Sequence, residues 1–261
     1  MDHVLSKINI IEENFFAVSS YWGSLTSSLK KADSIRAMSP GVPVSDINWA
    51  WNERPLVKDD IESIAEIKEY YKKMNLRFWW WVYPAGKSPE TSRLLQDAGF
   101  RLFAKVPCMA ADLNNTLSDD RPVSHIKVLP VLNKSDLVIW KDVSFDGFEM
   151  PFRVREQYGA FISSFNMGAE SPQKLFIAYL NEKAAATSLL FTNKSTAGIY
   201  YVSTLPAYRN KGCGLTITRA AMRAAREFGF KEVILQATPM GARVYLRAGF
   251  KEYCQAEIYK L

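Results

Sequence analysis

Arg209, Asn210, Lys211, Gly212, Cys213 and Gly214 bring two bases and two glycines into one short run. Before it stands Ala-Gly-Ile-Tyr-Tyr-Val-Ser-Thr, 197–204, with the β-branched and aromatic content of a strand. After it, Ile217, Ala221, Ala224 and Phe228 recur at i, i+4, i+7 and i+11, one apolar stripe of a helix. Arg219, Arg223 and Arg226 fall on another face, weighted toward the end where the helix dipole favours cations. Gly229 stands where such a helix should stop. The glycine run therefore opens a helix. A helix's first turn presents backbone N–H groups that have no intrahelical acceptor. Glycine at 212 and 214 lets an anion approach those groups with no Cβ in the way. The chemistry this allows is the holding of a phosphate or pyrophosphate. An ordinary strand-to-helix turn would use the same glycines, so the surrounding pattern has to decide between the two.

Two familiar phosphate loops are excluded. Gly86-Lys87-Ser88 has a P-loop's ending, but the motif would require glycine at Trp81, and G-x-G-x-x-G would require glycine at Ile217. His3 and His125 are the only histidines, so a histidine-based triad or a multi-histidine metal site has no material, and no metal is expected. Cys108, Cys213 and Cys254 are odd in number and lack metal-ligand spacing. Free thiols in a reducing, cytoplasmic setting are the simple expectation. Cys213, with no histidine close in sequence, reads as a small spacer in the loop.

The elements around the loop come next. The 261 residues suit one large domain or two of roughly 100–150 residues. The polar, aperiodic run Leu113–Ser124 reads as a linker, giving expected domains 1–118 and 119–261. Beyond it the pattern predicts a strand at 124–130, a helix from Asn133 with Ser135 as N-cap, and a second helix at 152–165. Three strands follow across 174–204, turning at Asn181-Glu182 and near 193–195. After the loop and its helix come a strand at 231–238, a short helix at 241–248 and a last strand at 252–261. Both halves end alike: apolar strand, proline-containing loop, helix closing in Ala-Gly-Phe, strand. Aligning the triplets sets Leu95 opposite Tyr245, which reads as an internal duplication. The matching part of the first half, 47–75, has no glycine, so only the second half keeps the loop.

Lys and Arg total 33 against 27 Asp and Glu, a net charge of +6. That mild excess suits an anionic small ligand, while no block of like charges marks a nucleic-acid partner. The start lacks a signal-peptide pattern, and no stretch approaches the ~18 apolar residues of a membrane span. Neither nucleic acid nor membrane is an expected partner.

Taken together, the strand, the Pro-x-Tyr-Arg-x-x-Gly-x-Gly loop, the helix, the strand and the Tyr-x-x-x-Gly-Phe helix from Val202 to Phe250 resemble the coenzyme A core of the GNAT superfamily of N-acetyltransferases. The resemblance implies an α/β (α+β) fold with a mixed, mostly antiparallel sheet flanked by helices. The second half would bind acetyl-CoA and the first would be a degenerate copy. It implies that Asn210, Lys211, Gly212, Cys213 and Gly214, opened by Arg209, hold the pyrophosphate. Tyr201, Val202, Ser203 and Thr204 would hold the pantetheine and thioester. Tyr245 takes the place of the family's general acid, donating to the departing thiolate with a phenol of ordinary pKa near 10. The acceptor would be a small-molecule or protein amine. Asp142, Asp146, Glu149 and Glu156 are carboxylates near the expected acceptor side, none distinguished as base. Lys211 is the best-placed cation for the cofactor's phosphates, with Arg243 and Arg247 read as helix surface. Alternatives from other classes are a non-catalytic acyl-CoA sensor or scaffold and a transferase for another acyl group such as succinyl. Acceptor identity and oligomeric state are left open.

Overall fold

The computed structural model describes residues 2–116 and 125–261. In chain order its elements are α1 (Asp2–Leu25), β1 (Lys30–Ala32), β2 (Ile35–Met38), β3 (Trp49–Asn52), α2 (Ile61–Lys73), β4 (Trp79–Val82), α3 (Pro89–Asp97), β5 (Arg101–Asp112), α4 (Leu113–Thr116), β6 (Ile126–Pro130), α5 (Lys134–Gly147), α6 (Arg155–Ser163), β7 (Gln173–Leu180), β8 (Lys183–Thr192), β9 (Ala197–Thr204), α7 (Cys213–Glu227), β10 (Glu232–Gln236), α8 (Pro239–Arg247) and β11 (Lys251–Lys260). Among the described residues no helix is long and apolar enough to cross a membrane. The fold is a mixed α/β one, with mostly antiparallel strands flanked by helices.

The expected boundary at 118/119 lies outside the described residues. The compact units are not two consecutive halves. One takes Met1–Asn14, Cys108–Arg155 and Phe165–Tyr253, and the other takes Phe15–Pro107, Glu156–Ser164 and Cys254–Leu261.

In the first unit the strand order is β5-β10-β9-β8-β7-β6. All pairs are antiparallel except β9 with β10. The β7–β8 turn is set by Asn181 and Glu182, both at positive φ (49° and 65°), as a tight hairpin turn requires. A core cluster joins α7, α8 and the sheet through Ile199, Ala221, Val233, Leu235, Tyr245 and Phe250. Ile217, Ala221 and Ala224 of the α7 stripe are buried there or in the adjoining cluster, whereas Phe228 is exposed because α7 has ended by that point. The N-cap of α5 is Asn133, accepting from the Asp136 N–H, two residues before the expected Ser135. Both residue types cap well; the helix begins earlier because Asn133 closes the bond.

In the second unit the order is β1-β2-β3-β4-β11, with β3 and β4 parallel. Helices α2 and α3 bury Ile64, Ile67, Leu94 and Leu95 with Trp80 and Tyr259. The repeat is visible in its ending. Both α3 and α8 are nine residues long with proline at N1. Their N-caps, Ser88 and Thr238, accept from the Thr91 and Gly241 N–H. Gly99 and Gly249 follow at φ 91° and 95°.

Candidate functional site

The β9–β10 ladder is short. It pairs Val233 with Ala197 and Ile234 with Gly198, although β9 runs on to Thr204 and β10 to Gln236. On its other side β10 stays paired with β5 from Glu232 to Gln236. The two parallel strands therefore part after Gly198, leaving a cleft with the edge of β9 along one side. Two features bend β9 away. Gly198 admits the Asn14 side chain, which a Cβ would displace. Asn14 also donates to Thr196 Oγ1 (2.8 Å) and accepts from the Tyr200 hydroxyl (2.7 Å). Further along, the β8–β9 register slips so that two residues, Tyr201 and Val202, oppose Ser188 alone. Tyr201 takes φ 52°. A bulge of this kind bends its strand and re-aims side chains. Thr187 Oγ1 fixes it by bonding Tyr201 O at 3.0 Å and Ser203 Oγ at 2.8 Å.

At the end of β9 the chain enters the glycine loop. Asn210 and Gly212 adopt positive φ (61° and 86°), and Gly212 is the N-cap of α7. The first helical bond runs from Thr216 N–H to Gly212 O. The amides of Cys213, Gly214 and Leu215 thus lie in the first turn, where a helix has no acceptor of its own for them. Asn210, Lys211 and Gly212 are exposed. The Lys211 ammonium sits 5.5 Å over the Tyr208 ring. Gly214 is adjacent to Thr204 Oγ1, so the loop closes directly on the end of β9. A groove of about 440 Å³ beside α7 is lined by Gly212, Thr216, Arg219, Arg223 and Arg247.

Arg209 does not point into open space. Its guanidinium donates to Thr204 O (3.2 Å), Gly147 O (3.0 Å) and Glu149 (2.8 Å). It ties the loop to β9 and to the end of α5, a positioning role that sequence reasoning did not foresee. Cys213 is buried, and burial pushes its thiol pKa up, which fits a spacer and not a nucleophile.

Tyr245 is buried on α8 in a cluster that includes Ile199 and Val202 of β9 and Leu235 of β10. It thus belongs to the same core as residues of both strands just beyond the point where they part. Its ring lies edge-on to Phe250 at 6.0 Å and against Gly241, where a Cβ would meet Cε2 at 2.7 Å. Burial raises its hydroxyl pKa well above the ordinary phenol value, so it stays protonated. The carboxylates are less available. Asp142 and Asp146 are bonded by Arg155 at 3.0 and 2.5 Å, and Glu149 by Arg209. Glu156 belongs to the other unit. Arg243 and Arg247 are exposed. Sequence reasoning missed Asn14, Gly147 and Thr187. Gly198 was the legible signal, since glycine inside a strand marks a close approach.

The second unit offers no such cleft. There β3 and β4 stay paired through Trp49–Trp79, Ala50–Trp80 and Trp51–Trp81. The start of α2 already holds a carboxylate of the chain itself. Asp60, fully buried, accepts from the Val57 N–H (2.8 Å) and both Arg54 guanidinium nitrogens (2.8 and 2.9 Å).

Residues 140–250 match the profile of the acetyltransferase (GNAT) family. No curated protein matches the chain. Among solved structures, a GCN5-related N-acetyltransferase from Kribbella flavida is similar over 95% of this chain and 94% of its own, with TM-score 0.72 and 16% identity. One from Sphaerobacter thermophilus covers 87% of this chain and 76% of its own, at TM-score 0.63 and 15% identity. A tandem GNAT protein from the clavulanic acid biosynthesis pathway covers 87% and 78%, at TM-score 0.58 and 13% identity. Identities this low speak to fold. The segment 140–250 is a GNAT-family acetyltransferase domain, and the chain around it has the fold of the GCN5-related N-acetyltransferases.

Proposed function

We propose that the protein transfers an acetyl group from acetyl-CoA to a primary amine by direct attack on the thioester. The transfer takes place in the unit that carries the glycine loop, within the expected domain 119–261. The observation that carries this reading is the parting of β9 from β10 after Gly198, with the cleft leading to the N-terminus of α7. The other unit, whose parallel pair stays closed and whose α2 start holds Asp60, is a copy without a cofactor site.

When bound, acetyl-CoA supplies an activated thioester. The amides of Asn210, Lys211, Gly212, Cys213 and Gly214 receive its pyrophosphate, aided by the positive end of α7. Lys211 adds a cation at the loop, and Arg209 holds the loop in place. The edge of β9 through Tyr201, Val202, Ser203 and Thr204 receives the pantetheine by backbone hydrogen bonds. The amine nitrogen forms the new bond to the carbonyl carbon, the carbon–sulfur bond breaks, and Tyr245 delivers a proton to the sulfur. A phenol held neutral by burial suits that task, and acid catalysis contributes typically ~10²–10⁴-fold. The thiol is a fair leaving group, so the low end applies. The amine's own proton leaves to solvent. The three free thiols fit a cytoplasmic setting.

One observation favours a second reading, a non-catalytic acyl-CoA sensor or scaffold. Asp142, Asp146 and Glu149 are all engaged by arginines, so no ready base stands out among them. A thiol-release assay with acetyl-CoA and a library of amines separates the two readings. Amine-dependent thiol release is expected. Binding of acetyl-CoA with no turnover for any amine would favour the sensor, and faster release from succinyl-CoA would move the reading to another acyl group.

A further inference from the structure

The first unit exposes apolar rings beside the parted edge of β9. Gly147 ends α5 against that edge, so close that a Cβ would lie 2.7 Å from Ser203 Oγ and 3.3 Å from the Thr204 nitrogen. The chain then leaves the helix as Phe148-Glu149-Met150-Pro151-Phe152. The first and last of these rings are 44% and 81% exposed. Large apolar groups left in water together mark a place where something binds. The rings are also held in position. The Phe148, Met150 and Val154 N–H groups bond Ser144 O (3.0 Å), Phe145 O (3.2 Å) and Pro151 O (3.0 Å), and Glu149 accepts from Arg209. Phe148 meets the Tyr201 ring edge-on at 5.9 Å. Tyr201 is the residue at φ 52° in the β9 bulge, and its ring also meets Trp140 at 5.4 Å and Phe165 at 6.2 Å. One end of the exposed surface thus rests on a residue whose backbone borders the cleft.

The charges around these rings cancel. Asp142 and Asp146 are bonded by Arg155, Lys141 lies 3.3 Å from Asp142, and Glu149 is bonded by Arg209. Three carboxylates therefore face three bases. Arg153, next to Phe152 in the chain and exposed, tips the loop toward positive. The Arg155 guanidinium lies 5.8 Å from the Phe152 ring, so that ring already has a cation beside it. An acceptor with several positive charges, such as a polyamine or an aminoglycoside, would need carboxylates that are not already paired to make up for its lost hydration. These carboxylates are committed to the chain's own bases. The surface is built for apolar contact.

We propose that the acceptor is a small primary amine carried on an aromatic body, with no second positive charge. The inference rests on the acetyl-transfer reading and names the substrate class of that same site. The body lies against the exposed faces of Phe148 and Phe152, where rings gain from edge-on or offset stacking beyond their burial. The amine is directed toward Tyr201 and the edge of β9, where the thioester is to lie. Because the loop is tied by its own backbone bonds and by Arg209, little ordering is needed when the amine arrives.

The test measures thiol release by the full chain, saturated with acetyl-CoA, for 2-phenylethylamine, n-propylamine and spermidine. The phenyl ring buries far more apolar surface than a methyl group, so kcat/KM for 2-phenylethylamine should exceed that for n-propylamine by at least about tenfold. Spermidine should do no better than n-propylamine. Phe152→Ala, at a position 81% exposed, should raise KM for 2-phenylethylamine about fivefold with kcat unchanged. Phe148→Leu, which keeps apolar bulk and removes the ring, should act in the same direction. Neither variant should alter acetyl-CoA affinity or the kinetics with n-propylamine, which a general loss of packing would disturb. Equal kcat/KM for 2-phenylethylamine and n-propylamine, or a preference for spermidine, would overturn the acceptor class and leave acetyl transfer standing. An unchanged KM for 2-phenylethylamine in both variants would overturn the place assigned to its ring. Binding of acetyl-CoA with no thiol release for any amine would overturn acetyl transfer itself, and the acceptor with it.

Discussion

At the scale of single residues, the proposed chemistry turns on Tyr245. Its burial in the α7–α8 cluster raises the hydroxyl pKa, which has a consequence for the pH profile. An acid with a raised pKa remains protonated up to that pKa, so the alkaline limb of a bell-shaped profile moves out of the accessible range. kcat/KM should rise as the acceptor amine loses its proton and should not fall again through pH 10. Tyr245→Phe should leave acetyl-CoA affinity nearly unchanged and lower kcat, because the hydroxyl acts only as the thiolate departs. A loss on the order of 10- to 100-fold is expected. Leu95, its fully buried counterpart in the repeat, carries no hydroxyl. Leu95→Ala should cost about 2–5 kcal/mol of stability with the chemical step intact. Single-turnover rates of both variants decide the matter. A wild-type rate in Tyr245→Phe would reduce that residue to packing.

At the scale of elements, two glycines position the site in different ways. Gly212 has φ 86°, yet a Cβ there would meet nothing closer than Ile126 Cδ1 at 3.7 Å. Gly212→Asp should therefore meet no clash and fold at a cost of about 1–2 kcal/mol for the left-handed backbone, while placing a carboxylate where the proposed anion binds, and it should abolish CoA binding by calorimetry. Unchanged affinity in a folded variant would remove the loop assignment. Gly147 is tighter: a Cβ would come within 2.7 Å of Ser203 Oγ and 3.0 Å of its Cβ. Gly147→Ala should force the end of α5 off β9, costing about 1–3 kcal/mol in thermal unfolding, and should lower turnover by disturbing Ser203 and Thr204. Stability and rate both equal to wild type would show that this approach is not needed. These elements also show what the sequence could convey. The loop, the stripe of Ile217 and Ala221, and the Tyr245 helix were legible because each is a local pattern of types and spacing. The parting of β9 from β10 and the bulge at Tyr201 were not, because both depend on which strands become neighbours. Nor was the Arg209 tie to Gly147, which joins residues 62 positions apart.

At the scale of the whole chain, the repeat was readable from its two Ala-Gly-Phe endings, but the make-up of the units was not. Polar composition suggests a linker from Leu113, yet Leu113 opens α4 and is buried in the first unit's core; nor does composition say which sheet a strand joins. The first unit includes the end of β5, where Met109 pairs with Leu235. The second includes the end of β11, where Glu257 pairs with Val82 and bonds Lys87. Cutting between 118 and 119 would remove β11 from the sheet of one fragment and β5 from that of the other. Each fragment should then be unfolded alone by circular dichroism, so separated halves cannot report where acetyl-CoA binds. The question belongs to the intact chain. Calorimetry should give one molecule of CoA per chain, because one parallel pair opens and the other stays closed over Asp60. Asp60→Asn keeps the size of that side chain while removing its charge. It should lower stability, since the Arg54 guanidinium loses its anion, and leave the CoA stoichiometry at one. Gly212→Asp should take the stoichiometry to zero. Two molecules per wild-type chain, or one still bound in Gly212→Asp, would place a cofactor on the copy that lacks the glycine loop and overturn its assignment as degenerate.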